Sequence, residues 1–465
     1  MSIARAYHIS LSELKSLNPD IQPEYIQPAQ RIKVPAAQQP QEQGNYISYI
    51  VKRKDTMYSL AKAYGITIDE LVAANPQLQE ADSKLKKGTI LRIPVKQPTS
   101  HAAPLAQLQD IKVAVVLPIV GNGLEYERSI EFYRGLLLGV EDLKNANINV
   151  EISAFNEPAP DADITPLIQT IMAGKPHVVV GPVYPTHFDA VTAIASADTK
   201  VAVPFSSKVP QVNNRPNVFV LNTPSKYEAS LATDLFISSF NKQSTIVLLQ
   251  SLDGNKKAFS VELQRRLLAA NFKLISLPTS YSAVQIKQSL KEADGPYVLI
   301  PDDSSEATLQ QMLDKVTQLN HLLPKALISL VGYDAWIPFS EGNYKQAMHA
   351  CNTYLLASNY YYPHTQAAQA FQQAYSQWFK IPMVSCSPRM APLGYDFSHA
   401  FLGGLACYGT QYNTQSPLPN TVAAMPKLQT DLRFVSVGSN GGYLNRSMWL
   451  VHFKPDLSII KLSAQ

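Results

Sequence analysis

An internal repeat constrains this chain more than any other feature of it. Ala4-Arg-Ala-Tyr7, Glu13-Leu14 and Asn18-Pro19 lie over Ala61-Lys-Ala-Tyr64, Glu70-Leu71 and Asn75-Pro76 at a constant offset of 57 residues. Arg31-Ile-Lys-Val-Pro35 then lies over Ile90-Leu-Arg-Ile-Pro94, at an offset of 59. Self-similarity at a fixed offset means one small unit built twice. The copies occupy residues 1–36 and 46–95.

The second copy reads as β-α-α-β. Tyr49-Ile-Val51 is a short β-branched strand, and Asp55-Thr56 caps a helix over Ser59–Tyr64. Thr67 caps a second helix over Ile68–Ala74, which Asn75-Pro76 stops. Gly88 makes a turn, and Ile90–Ile93 closes the unit. Tyr49-x-Val51, Asp55-Thr56, Ser59-Leu60-Ala61, Tyr64-Gly65-Ile66, Leu71, Asn75-Pro76, Gly88 and Leu91-x-Ile93-Pro94 together resemble the lysin motif, LysM. Lys54 departs from it, standing where the family usually has glycine. The resemblance implies binding of peptidoglycan or another N-acetylglucosamine-containing glycan. It places the groove between two loops, Asp55, Thr56, Met57 and Tyr58 on one side and Asn75, Pro76, Gln77 and Leu78 on the other, with backbone amides available to an N-acetyl group. The basic runs Lys52-Arg-Lys54 and Lys84–Lys87 read as solvated faces that also suit acidic wall peptides. In the first copy Met1 falls where Tyr58 stands in the second, so the opening strand is missing. We therefore expect residues 1–36 to be a truncated LysM, and the natural chain to start earlier with an export signal absent from this one, placing the protein in the periplasm or envelope of a bacterium.

Residues 37–45 and 96–109 are polar, proline-bearing linkers without apolar periodicity. From residue 110 the texture changes. Lys112–Leu117, Asn149–Ala154, His177–Val180 and Val201–Phe205 read as strands, alternating with helices over Ser129–Lys144, Ile164–Ala173 and Asp189–Ala197. The alternation repeats from Thr245 to Val331. Buried strands alternating with helices predict parallel sheets covered on both faces, and the strand count requires two lobes. The chain has 465 residues, 46% hydrophobic and only 16% charged, which is ample for such a core. A net charge of +4 gives no reason to expect a nucleic-acid partner.

This order resembles the type 1 periplasmic binding proteins, the fold of branched-chain amino-acid receptors. The supporting residues are Lys112-Val-Ala-Val-Val-Leu-Pro118, a helix with Gly135 and Gly139, Val180-Gly181-Pro182, Val203-Pro204-Phe-Ser-Ser207, Leu330-Val-Gly-Tyr-Asp334 and Gly394-Tyr395-Asp396. The expected fold is α/β and two-lobed, with lobe one over about 110–223 and 358–418 and lobe two over about 224–357 and 419–465. The crossings are expected at Asn222–Ser225, near Ala357–Tyr360 and near Ser416–Thr421.

No GxSxG, HExxH, Walker A or complete GxGxxG occurs, and Leu124-Glu125-Tyr126 breaks the glycine pattern begun by Gly121-Asn-Gly123. We expect no enzyme activity, no cofactor and no metal. His349-Ala-Cys351 reads as a surface histidine beside a buried cysteine. Cys351, Cys386 and Cys407 allow at most one bridge. Ligands of open α/β sheets sit outside the carboxyl ends of the strands, which selects Tyr184, Thr186, Ser206 and Ser207 in lobe one and Asn255, Asp334 and Trp336 in lobe two. Equally, Ser206 and Ser207 read as helix caps and Trp336 as packing. Receptors of the resembled fold hold an amino acid's carboxylate with lobe-one hydroxyls and amides, and its ammonium with an acidic group and aromatics of lobe two. Ser251–Asn255 offers no tyrosine, and Asp334 is one methylene short of glutamate. We therefore expect no binding of ordinary free amino acids. Two roles remain: a peptidoglycan-bound scaffold for an envelope protein partner, and a wall-tethered receptor for a small polar molecule.

Overall fold

A computed structural model describes residues 46–51, 56–57, 60, 71–72, 74–75, 78, 89–94, 110–290, 296–384, 386–412, 418, 420–438 and 440–463. The first repeat and both linkers lie outside the described residues. The chain divides into two compact units, Met1–Pro104 and Leu105–Gln465.

In the first unit, β1 (Tyr46–Ile50) pairs antiparallel with β2 (Ile90–Pro94), Tyr46 opposite Pro94 and Ile50 opposite Ile90. Two short strands cannot stand alone. They are backed by a core of Val51, Leu60, Leu71, Leu78 and Leu91, with Met57 and Val72 packed against it. The Asn75 side chain closes the second helix by donating from Nδ2 to the Leu71 carbonyl at 2.7 Å.

The large unit holds two seven-stranded sheets. The first contains β3 (Asp110–Leu117), β4 (Asn149–Asn156), β5 (Val178–Val180), β6 (Lys200–Val203) and β7 (Val218–Val220). The second contains β8 (Thr245–Gln250), β9 (Lys273–Pro278), β10 (Tyr297–Pro301), β11 (Ile328–Tyr333) and β12 (Thr353–Ala357). β13 (Phe434–Ser436) and β14 (Tyr443–Asn445) complete the first sheet; β15 (Trp449–Phe453) and β16 (Ile459–Ser463) complete the second. The orders are β13-β14-β7-β6-β5-β3-β4 and β16-β15-β12-β11-β10-β8-β9. The β13–β14, β12–β15 and β15–β16 pairs are antiparallel, and the rest are parallel. Period-two alternation explains the continuous apolar runs. Ile111, Val113, Val115 and Leu117 face one core while Ala114 and Val116 face another, and Val247 and Leu249 are opposed in the same way to Ile246 and Leu248.

The chain passes from the first sheet to the second after β7 and returns after β12. The third crossing is not near Ser416–Thr421. It lies at residues 446–448, between β14 and β15, so 419–445 belongs to lobe one. The cause is β14, which pairs with β7 through Tyr443 opposite Phe219 and Leu444 opposite Val220, the Tyr443 ring stacking on Phe219 at 4.5 Å. Both β13 and β14 are three residues long and are separated by Gly441-Gly442, a pair no strand pattern reveals. The expected strand Val201–Phe205 stops at Val203, because Pro204 has no N–H for the ladder. The helix expected over Ser129–Lys144 runs Leu124–Asn145.

Lys200 opens β6 almost fully buried, at 2% exposure. Its Nζ donates to the Thr410 carbonyl at 3.1 Å and lies 5.7 Å from the centre of the Phe219 ring. Burial pushes its ammonium down to about 8. The unfolded value is ~10.4, so the unfolded chain binds more protons between these limits and stability rises with pH there. Lys200→Met is expected to stabilise the protein by about 1–3 kcal/mol at pH 7. Paired urea unfolding curves check this: the advantage should shrink at pH 10, and an advantage that does not change with pH would contradict it.

Candidate functional site

Among the residues expected to form the glycan groove, Thr56 is exposed and Met57 is half-buried at the first turn of its helix. Asn75 is 1% exposed and Leu78 is 7% exposed, in the core. Their side chains build the unit, so any contact with sugar from those two positions runs through the backbone. Asp55, Tyr58, Pro76 and Gln77 lie outside the described residues.

At the carboxyl edge of the lobe-one sheet, Glu157 follows β4 and is buried. Its carboxylate accepts the backbone N–H of Val183 at 2.8 Å and of Tyr184 at 3.1 Å, and its Oε1 lies 2.8 Å from His187 Nδ1. The loop after β5 is thus held by an internal carboxyl group, which burial pushes above the usual glutamate range while the Val183 and Tyr184 N–H groups and His187 oppose the shift. Tyr184 is half-buried with its ring edge-on to His187 at 6.0 Å. Thr186 is exposed and donates its hydroxyl to the Pro160 carbonyl at 2.6 Å. Ser206 is half-buried and accepts the Lys208 N–H at 3.1 Å, a turn-capping bond, and Ser207 is half-buried beside it. Glu157 escaped the sequence reading; its only signal is an acid placed at a strand end before Pro158.

In lobe two, Asn255 is exposed, and its Oδ1 accepts from the Ser304 N–H at 3.1 Å and hydroxyl at 3.0 Å. Asp334 is exposed, accepts the Ala335 N–H at 2.9 Å and lies 3.9 Å from Lys256 Nζ. Trp336 corrects its candidacy as a cleft residue. It is fully buried, its Nε1 donates to the Ser305 carbonyl at 3.2 Å, and its ring fills the space over Gly332, where a Cβ would fall 2.0 Å from Cζ3.

Asn255 and Asp334 do share a pocket of about 690 Å³. One wall is the face of the helix Ser225–Ser239 that carries Glu228, Ala229 and Ala232. Phe259, Tyr333, Leu356 and Met448 make the apolar lining. Lys256 Nζ lies 5.3 Å from the centre of the Tyr333 ring. A second, larger pocket of about 1020 Å³ lies between the lobes beside the second crossing. There Ser340 and Glu341 of lobe two meet Tyr361, Cys386 and Arg389, the Arg389 guanidinium 5.0 Å from the centre of the Tyr361 ring. Nothing in the sequence patterning marks these residues, because they come from three separate loops.

His349 is buried rather than at the surface, its Nδ1 2.7 Å from the Lys454 carbonyl, and Cys351 is buried in the lobe-two core. None of the three cysteines is bridged. Among the described residues no three potential ligand side chains converge as a metal site, and no helix is long and apolar enough to cross a membrane.

Two α/β lobes joined by three crossings, with loops at the carboxyl edges of both sheets, make the large unit a two-lobed α/β fold. Residues 2–35 and 49–94 match the family model of the LysM domain. No curated protein matches the chain. Similar solved structures include an ABC transporter substrate-binding protein from Desulfitobacterium hafniense in complex with Leu, 14% identical over 76% of this chain and 100% of that chain, with a TM-score of 0.36. An ABC-type branched-chain amino-acid transporter protein from Rhodopseudomonas palustris is 15% identical over 77% of this chain and 96% of that one, with a TM-score of 0.40. A branched-chain amino-acid transporter substrate-binding protein from Streptococcus pneumoniae, in complex with isoleucine, is 13% identical over 76% and 99%, with a TM-score of 0.34.

Proposed function

We propose that this is a non-enzymatic envelope protein that binds peptidoglycan through its LysM modules and presents the two-lobed domain as a scaffold for a partner protein of wall metabolism. The observation that carries the glycan half is the LysM match over residues 49–94, on a unit whose two strands pair in register and whose described residues include the apolar cluster of Val51, Leu60, Leu71, Leu78 and Leu91. Two weak modules on one chain reinforce each other through effective concentration. Titration of the full chain with a soluble N-acetylglucosamine oligomer is expected to give saturable binding.

The scaffold half is supported by the condition of the cleft edges. The Val183 and Tyr184 N–H groups, donors of the kind that would hold a ligand carboxylate, already bond Glu157. Asp334 stands 3.9 Å from Lys256 rather than alone, and Trp336 is packed away. An amino acid's carboxylate would find these N–H donors already taken, and an unpaired buried ion costs several kcal/mol, roughly. Isothermal titration with each of the twenty amino acids is expected to show no saturation at micromolar concentration. Micromolar binding of any one would replace the scaffold reading with that of a solute receptor.

A further inference from the structure

A pocket of about 670 Å³ lies at the third crossing, between the helix Ser225–Ser239 of lobe two and the β13 edge of lobe one. It uses a different face of that helix from the pocket of Asn255 and Asp334. Leu231, Asp234 and Leu235 line it, and Met448 alone is common to both pockets. Arg446 reaches it from the crossing itself. Its backbone N–H donates to the Arg433 carbonyl at 2.7 Å, and its guanidinium lies 4.1 Å from the centre of the Tyr227 ring. Lys226 Nζ lies 4.9 Å from the same ring. Nε of Arg446 is buried without a hydrogen-bond partner, so what the side chain offers the pocket is its terminal edge, held in place by the stack on Tyr227.

The two acids in the lining are already engaged. Asp431 accepts from Arg433 at 3.1 Å and is paired with Lys427, while Asp234 is paired with Arg266. Among the described residues no carboxylate pairs with Arg446, which leaves the pocket a surplus of positive charge. The rest of the lining is carbon. Leu235 is buried, Leu231 and Met448 are half-buried, and Val435 is 38% exposed at the rim. An ammonium ligand would meet the guanidinium. Inorganic phosphate satisfies the charge and leaves the apolar wall uncovered. A carboxylate on a hydrocarbon body satisfies both, because its planar pair of oxygens matches the guanidinium edge.

We propose that this pocket binds a carboxylate borne on an apolar body, with Arg446 as its anchor and Leu231, Val435 and Met448 covering the body. The carboxylate belongs either to a free alkanoate or to the C-terminus of a peptide with apolar side chains. A zwitterionic amino acid would bring its ammonium against Arg446 and Lys226, so the expectation that free amino acids do not bind is unchanged.

The test is isothermal titration of the full chain at low ionic strength with hexanoate and with N-acetyl-alanyl-leucine, hexylamine and inorganic phosphate serving as controls. Saturable binding of either carboxylate is expected, weakened about tenfold or more by Arg446→Gln. Arg446→Lys keeps the charge and loses the fork, so a smaller loss is expected there. Val435→Glu adds a like charge at an exposed rim position and is expected to weaken both carboxylates without touching the Tyr227 stack. Thermal unfolding of each variant reports that the fold is kept. Tighter binding of the peptide assigns the pocket to chain termini, and tighter binding of hexanoate to free alkanoates. Saturation by neither carboxylate, equal or tighter binding of hexylamine or phosphate, or carboxylate affinity indifferent to Arg446→Gln and Val435→Glu would overturn the proposal. None of these outcomes bears on the N-acetylglucosamine titration, so the two readings fail separately.

Discussion

Replacing Asp396 by alanine is expected to destabilise the large unit by about 3 kcal/mol or more, which urea unfolding followed by tryptophan fluorescence measures. Asp396 lies in the helix Met390–Phe397 and is 2% exposed. Its carboxylate accepts three consecutive backbone N–H groups, those of Leu428 at 2.7 Å, Gln429 at 2.8 Å and Thr430 at 2.8 Å. Alanine leaves all three buried donors without an acceptor, and each costs ~1–3 kcal/mol. The damage spreads because this short segment ties the lobes. The Gln429 carbonyl accepts the Tyr360 N–H at 3.0 Å, from the second crossing, and Trp449 Nε1 at 2.9 Å, from β15. The Thr430 and Ser447 hydroxyls lie 2.9 Å apart at the third crossing. Asp396→Asn is expected to recover only part of the loss, since its amide nitrogen faces N–H donors. A loss under about 1 kcal/mol for the alanine variant would show that water replaces the carboxylate there.

Gly394→Val is the other substitution with a large expected effect. The helices Leu124–Asn145 and Met390–Phe397 touch backbone to backbone. A Cβ on Gly394 would fall 2.0 Å from the Phe132 carbonyl oxygen and 2.8 Å from the Leu136 nitrogen, and one on Gly135 would fall 1.8 Å from the Ala391 oxygen. The obstacles are main-chain atoms inside helices, which no rotamer change removes. The helices must separate under the lobe-one sheet, opening voids around Phe132 and Phe397. Overpacking costs ~1–3 kcal/mol where side chains can shift, so a loss at or above the top of that range is expected here. A Gly394→Val variant that melts with the wild type would contradict the close crossing.

Legibility in the sequence followed from how local each signal was. The repeat and the strands from Lys112 to Val331 were readable because each rests on a contiguous run of sequence. The third crossing was not, because β13 and β14 are too short to show a period and are joined to β7 only by tertiary pairing. At the cleft edges, position along the chain selected Asn255 and Asp334, which the fold does bring into one pocket, and also Trp336, which it buries. Glu157, Glu228 and Arg389 were out of reach for the same reason: each acquires its surroundings from segments tens to hundreds of residues away, and no single-strand pattern encodes that.

In the function proposed above, the N-terminal modules bind the chain to peptidoglycan. Co-sedimentation with purified, protein-free peptidoglycan sacculi tests it most directly, comparing the full chain with residues 105–465. The full chain is expected to pellet with the sacculi and to be released by soluble N-acetylglucosamine oligomer, while residues 105–465 stay in solution. A full chain that remains in the supernatant, or a 105–465 fragment that pellets equally well, would contradict it.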